Sequence, residues 1–497
     1  MPIDFDPQVR HSEPTSDAMR IGSALVLVSM IVLSGCSSAN SETQRTSPNS
    51  GSQQASAPTR ESVAPSTESI QLARCVSPIE PFTVKVWHIL PDGNAGGTFN
   101  AFVSEFNATH PSIKIESEKV GNFDTLIKRL QDQPKDTWPD IIVSATSGLK
   151  RLADSGALIA PGECRAGDVL KASLLPSIAA AYSISGKLQA MPYGVSTPVL
   201  LFDENKMRAA GLDPNHPPKT ADELFAASKQ IVDSGASAFG LVVYDWYSNF
   251  VVNQWAAQRG DLVATPDNGR DGQDIVVDYN TAANRAAMQW ISDVISKGGG
   301  AWIGGESKGT EDLVRLIQHS EGATMTIHTS GSIGDILAVV GKGDLKDVAL
   351  GVGPMPGPGV GGLVGGNGIW LIDHGSAQRA GAAWDVIQWL YEPEHLARFD
   401  VATGYIPPSE AVASTPAIVA AWNLHPQLKV GYDQLRAMPA TDAAAGALFG
   451  ASEIDSVFWD LTNSVVDRHT DLAEALTAAS DNANRLIAAY RNQGAHS

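Results

Sequence analysis

From Phe82 onward, apolar runs of strand length alternate with amphipathic stretches of helix length, and this alternation restricts the chain more than any other feature. Phe82–Ile89 (FTVKVWHI) reads as a strand, and Thr98–Asn107 as a helix with Phe99, Phe102 and Phe106 on one face. Ile113–Ile115 reads as a strand, Phe123–Leu130 as a helix, Asp140–Ser144 as a buried strand and Leu149–Leu158 as a helix. That β-α-β-α-β order predicts a mostly parallel sheet covered by helices, hence an α/β fold. A second series follows, with strands at Val199–Phe202 and Ala238–Val243 and helices at Glu204–Ala210, Thr220–Ser234 and Ala282–Ser296. Thr220-Ala-Asp-Glu223 fits a capping box. The chain closes on a helix marked by Leu472, Leu476, Ala479, Ala483, Leu486 and Tyr490. No internal repeat is visible.

The segment before this body has a different character. Ile21–Leu33 is uncharged and apolar, too short for the roughly 20 residues that span a bilayer but suited to the core of a signal peptide. Met19 is the expected start, because Asp4, Asp6, Glu13 and Asp17 in residues 1–18 do not suit a signal peptide. Leu33-Ser-Gly-Cys36 resembles a bacterial lipobox, which implies a diacylated Cys36 holding the protein to the membrane. Residues 36–71, rich in serine, threonine, glutamine and proline, lack the apolar side chains needed to offset ordering and read as a disordered tether. The folded body, from about Leu72 to Gln493, exceeds the size at which one core stops growing, so two lobes are expected. Of three cysteines, Cys75 and Cys164 remain after the anchor. Outside the cytoplasm they either pair, closing a long loop, or stay as two buried thiols.

The net charge is −19, and no basic stripe appears, which argues against a nucleic-acid partner. Gly357-Pro-Gly359-Val-Gly-Gly362 matches a dinucleotide pattern formally, yet a strand-like run follows it instead of a helix, so it reads as a flexible connection. Ser330-Gly-Ser332-Ile-Gly334 lacks the first glycine of a nucleophile elbow. No HExxH, paired CxxC or EF-hand loop occurs, and the eleven histidines are scattered. No metal, no cofactor and no catalytic set is therefore expected.

What remains is the makeup of a polar-ligand cleft. Aromatic and polar residues meet at strand ends and loops: Trp87-His88, Tyr193 through Thr197, Tyr244-Asp245-Trp246-Tyr247, Thr329 through Ser332, and Gly404-Tyr405. Rings attract cations and stack on sugar faces, while hydroxyls and backbone N–H groups meet ligand oxygens.

At these residues the chain resembles the bacterial extracellular solute-binding proteins of family 1, and within them the glycerophosphate binders of Ugp-type ABC importers. The stretch from Ser196-Thr-Pro-Val-Leu-Leu-Phe through Ala210-Gly-Leu-Asp-Pro-Asn-His-Pro-Pro-Lys-Thr220 is the most specific. Trp87-His88, Gly121-Asn122-Phe123, Met325-Thr326, Gly365-Gly366 and Thr403 through Pro407 support it. The resemblance implies two discontinuous lobes joined by a hinge, in a monomer that delivers a small solute to a membrane permease. It places crossings near Tyr193–Thr197, His328–Ser332 and Asp373–Gln378. The first lobe is then 72–195 plus 333–377 and the second 196–332 plus 378–493. It also implies ligand contacts from Ser196, Trp246, Ser330 and Tyr405, with backbone from Gly366.

Two positions depart from that branch: Phe123 stands where it has a tyrosine and Thr146 where it has a glutamate. Its phosphate-binding arginine belongs to a glycine-rich stretch that here reads Gly446 through Asp455, and no Lys or Arg occurs between Arg436 and Arg468. A buried phosphate dianion without a cation is costly. The expected ligand is therefore a sugar, a polyol or a glycerol-derived head group, with glycerol 3-phosphate or a glycerophosphodiester as the alternative. A secreted hydrolase or an adhesion protein is a more distant one.

Overall fold

The computed structural model describes residues 74–244, 247–270, 274–303, 322–450 and 453–494. The leader, Cys36, the tether and Trp246 lie outside the described residues.

The first series folds as β1 (Phe82–His88), α1 (Asn94–Thr109), β2 (Ile113–Lys119), α2 (Phe123–Asp132), β3 (Ile141–Ala145), α3 (Leu149–Asp154), β4 (Leu158–Ile159) and β5 (Met191–Ser196). The second gives β6 (Pro198–Asp203), α4 (Ala221–Asp233), β7 (Phe239–Val243), α5 (Ala282–Lys297), β8 (Gly300–Trp302), β9 (Ala323–Thr329), α6 (Ile333–Val339) and β10 (Leu350–Pro354). Then come β11 (Gly365–Ile372), α7 (Ala377–Leu390) and α8 (Pro393–Thr403), with α9 (Ile454–Val466) and α10 (Leu472–Gly494) near the end.

Two mixed sheets result. In the first, β2-β1-β3 run parallel, and β11 lies antiparallel to β3, β4 and β5. The second has the order β8-β7-β9-β6-β10, parallel among β8, β7 and β9 and antiparallel at β6. Each sheet has its own apolar core. Phe99, Phe102, Ile142 and Trp370 belong to one, and Leu200, Leu241, Met288 and Phe458 to the other. This is the two-lobed α/β fold that the residue pattern predicts, but the sheets are mixed, not mostly parallel, because β11 enters the first and β6 the second antiparallel to their neighbours.

The helix starts follow local chemistry. Thr220 Oγ1 accepts from the Glu223 N–H at 3.1 Å, and the Glu223 carboxylate accepts from the Thr220 N–H at 3.2 Å, closing the capping box that starts α4. α3 is shorter than expected because Gly156 turns into the left-handed region (φ 68°), and Leu158 then joins the first sheet as β4. Cys75 and Cys164 form a disulfide with a Cα–Cα distance of 5.1 Å, tying the start of the body to the loop after β4.

The lobe boundaries differ from those expected. β10 joins the second sheet, and Ile333 and Ile336 of α6 pack with Val199, Leu201 and Leu350 on that sheet, so residues 333–354 go with the second lobe. α7 buries Ala380, Ala383, Trp384 and Ile387 in the core of the first lobe. The crossing expected at Asp373–Gln378 is therefore a turn within that lobe, where the Asp373 N–H donates to the Ala157 carbonyl at 2.7 Å. The chain crosses instead at Thr197, along 355–364 between β10 and β11, and between Ala445 and Ile454. α7 presents a broad apolar face suited to a sheet, whereas the glycine-rich 355–364 has no such face and can only connect.

Candidate functional site

A cavity of about 1010 Å³ lies where these crossings converge. The first lobe supplies Ala145, Thr146 and Ser147 from the end of β3, Ser196 from the end of β5, and Gly365 and Gly366 from the start of β11. The second supplies Tyr244 after β7, Phe250, Asn253 and Gln254 from the following helical turns, His328 from β9, and Asp455, Phe458 and Trp459 from α9. A volume of this size suits a small molecule, and a mostly apolar lining with a few placed polar groups is the usual makeup of such sites.

The crossings are held by a compact hydrogen-bond set. The Ser330 N–H donates to the Thr197 carbonyl at 2.8 Å, and the Thr197 N–H donates to Ser330 Oγ at 3.1 Å. Gln434 Nε2 donates to Thr197 Oγ1 and to the Pro198 carbonyl, both at 2.9 Å, and its Oε1 accepts from the Met355 N–H at 2.7 Å. Gly366 adopts φ 99°, and a Cβ there would stand 2.0 Å from the Gly194 carbonyl oxygen, so no other residue fits beside β5.

Of the residues singled out by sequence, Ser196, Thr146 and Gly366 come together in the lining. Ser330 and Tyr405 lie outside it. Ser330 is buried in the crossing, and the Tyr405 ring fills the space beside Gly194 and Gly331 and stacks on Phe399 at 5.8 Å. Phe123 packs against Gly148, behind the turn that carries Thr146. Trp87 is also outside the lining, covered by the Arg129 guanidinium at 3.8 Å.

Sequence reasoning missed Arg270, the only Lys or Arg among the described lining residues. Its guanidinium donates to the carbonyls of Gly446 (2.8 Å), Ala180 (3.1 Å), Ala181 (3.3 Å), Ser183 (2.7 Å) and Ala445. Five carbonyl acceptors match the five N–H donors of a guanidinium, so Arg270 is a strut between the lobes. It also missed α9, where Asp455, Phe458 and Trp459 recur at helical spacing. Burial, together with the Asp124 carboxylate on α2, pushes Asp455 up to about 6. Burial pushes His328 down to about 4, so its imidazole is neutral near pH 7, and its Nδ1 has no partner among the described residues. Among the described residues, no cluster of three His, Cys, Asp or Glu could hold a metal.

A two-lobed α/β body with a solute-sized cavity at its crossings defines a binding protein. The profile of bacterial extracellular solute-binding proteins matches residues 101–426, and the chain belongs to that family. It is an extracytoplasmic receptor of the ABC-importer type, not an enzyme. It is 25% identical to the sn-glycerol-3-phosphate-binding periplasmic protein UgpB of Pectobacterium atrosepticum, over 81% of this chain and 91% of that one. The fold superposes on UgpB from Mycobacterium tuberculosis in complex with glycerophosphocholine (TM-score 0.64, 19% identity, 82% of this chain and 98% of that one). It also superposes on the cyclic alpha-maltosyl-1,6-maltose binding protein from Arthrobacter globiformis (TM-score 0.63, 24% identity, 82% and 99%).

Proposed function

We propose that this receptor captures a small polar solute with no net negative charge, such as a sugar, a polyol or a glycerol-derived head group, and passes it to a membrane permease. The observation that carries this reading is the charge of the lining: Asp455 faces the cavity while Arg270, its one cationic side chain among the described residues, is spent on backbone carbonyls. Thr146, Ser147, Ser196 and the backbone at Gly366 are suited to meet ligand oxygens, and Trp246, two residues beyond Tyr244, to stack on the ligand. Ser330 and Tyr405 act as positioning residues behind Thr197 and Gly194. Phe123 acts in the same way behind Thr146. An acyl group on Cys36 would keep the receptor at the membrane, and Cys36→Ala should then release it into the soluble fraction.

A phosphate monoester would meet Asp455 without a counter-cation, at a penalty of up to a few kcal/mol in a closed cleft. Calorimetry with maltose, sorbitol, glycerophosphocholine and glycerol 3-phosphate tests the reading. One of the first three should bind stoichiometrically and be recovered unchanged. Micromolar glycerol 3-phosphate binding that persists at moderate salt would overturn it. The glycerophosphodiester reading keeps its place because one relative of the same fold is seen with glycerophosphocholine.

A further inference from the structure

Asp455 stands in the first turn of α9, and Phe458 and Trp459 follow it at the i+3 and i+4 positions, so the three share one helix face and all line the cavity. Among the described residues the Asp455 carboxylate has neither a hydrogen bond nor an ion pair. Two described cations on the segments that meet here are engaged with other groups: Arg151 with Glu453 at 3.8 Å and the Gly450 carbonyl at 3.0 Å, and Arg270 with its carbonyls. The Asp124 carboxylate on α2, an exposed side chain outside the lining, adds a like charge to the field at Asp455. A second acceptor in the lining, Asn253 Oδ1, is buried without a partner, its amide nitrogen donating to Asn249 Oδ1 at 2.6 Å.

A desolvated carboxylate needs either a proton or a cation, and unpaired buried acceptors need donors. A ligand hydroxyl would satisfy one oxygen and leave the carboxylate charge uncompensated. A positively charged nitrogen would neutralise the Asp455 carboxylate, and the aromatic rings of Phe458, Trp459, Tyr244 and Phe250 lining the same cavity attract such a group. We propose that the Asp455 end of the cavity is an ammonium subsite, so that the solute carries a cationic nitrogen, as in an amino-polyol or a choline head group. This rests on the solute-binding reading above and narrows its substrate class.

Affinity for such a ligand follows the charge of Asp455. The charged or titratable groups around it are Asp124 from α2, Glu453 just before α9, Arg151 from α3, the buried Tyr279, whose hydroxyl burial and the Asp455 carboxylate push up, and His328 and Arg270 in the lining. Asp455 gains a proton as pH falls through about 6, whereas His328 does so only near 4. Ammonium affinity is therefore full well above pH 6 and falls as the pH drops through it.

The test is calorimetry on the mature chain at about pH 7.5 and about pH 5, which bracket the Asp455 titration. It uses two pairs that differ in the cation: N-methylglucamine against sorbitol, and glycerophosphocholine against glycerophosphoglycerol. In at least one pair the cationic member should bind about tenfold tighter, or about 1.4 kcal/mol. That margin should shrink at the lower pH and vanish in Asp455→Asn. Which pair responds identifies an amino-polyol or a choline head group as the source. Sorbitol or maltose binding equally to wild type and Asp455→Asn, with no gain from either cation, would overturn the subsite and leave the solute-binding reading intact. No binding by any of these probes would overturn both. Should Asp455→Asn fail to fold, the wild-type pH comparison decides alone.

Discussion

On the side of the first lobe the cavity presents backbone and small side chains: Thr146, Ser147, Ser196, Gly365 and Gly366, all at strand ends of one sheet. On the side of the second lobe it presents Tyr244, Phe250, Phe458, Trp459 and the Asp455 carboxylate, carried on helices and their approaches. The first wall is set by the register of β5 against β11, where pairing shifts between Gly366 and Asn367. The second is set by which side chains a helix happens to carry. Changes on the first side should therefore damage the fold together with binding, whereas exposed positions on the second side can change the ligand and leave the fold alone.

Gly366→Ala is the strongest way to break that contrast. The new methyl would collide with the Gly194 carbonyl, and φ 99° disfavours any side chain, so a stability loss of about 3 kcal/mol is expected, with binding lost as well. An unchanged melting temperature with only affinity reduced would show that this wall is not fixed by backbone packing.

Trp459→Ala comes next. Trp459 is 47% exposed at the cavity edge, so its removal should shift stability by less than about 1 kcal/mol. Affinity for the bound solute should fall about tenfold if its ring faces the ligand. A large drop in melting temperature with affinity intact would return the ring to the core and erase the difference between the walls.

How much of this was legible in the sequence divides along the same line. The strands of the first lobe and the helices α1, α2, α4 and α5 were readable because apolar spacing reports burial directly, as at Phe99, Phe102 and Phe106. Ser196, Thr146 and Gly366 were readable through family resemblance, since strand ends at a crossing keep their place in the fold. Three features were not. Arg270 reaches Gly446 across 176 residues, a contact no local pattern encodes. The crossing at 355–364 was seen as a connection, yet without a sheet order nothing says which two elements it joins. Asp455 was read only as the end of the glycine-rich Gly446–Asp455 stretch, because α9 begins just there, at Ile454, and that stretch hides its periodicity.

The smallest expected effect concerns what holds the two walls together. Arg151, on α3 of the first lobe, donates to the Gly450 carbonyl at 3.0 Å, lies 4.8 Å from the centre of the Tyr490 ring and approaches Glu453 at 3.8 Å. Tyr490, on α10 of the second lobe, donates in turn to Asp154 at 2.9 Å. Together these contacts form a clasp beside Gly450, itself part of the cavity lining. An ion pair at 3.8 Å with a mostly exposed glutamate contributes little, about 0–1 kcal/mol, and a cation beside the half-buried Tyr490 ring about 0.5–1 kcal/mol. The Arg151→Ala variant should therefore lose affinity only about two- to fivefold, since about 1.4 kcal/mol corresponds to tenfold. The loss should fall on the dissociation rate, because the clasp forms only when the lobes are together. Stopped-flow release measured in wild type and Arg151→Ala separates the cases. Faster release at an unchanged melting temperature supports a clasp between lobes, while unchanged release with lowered stability would make Arg151 a brace within the first wall.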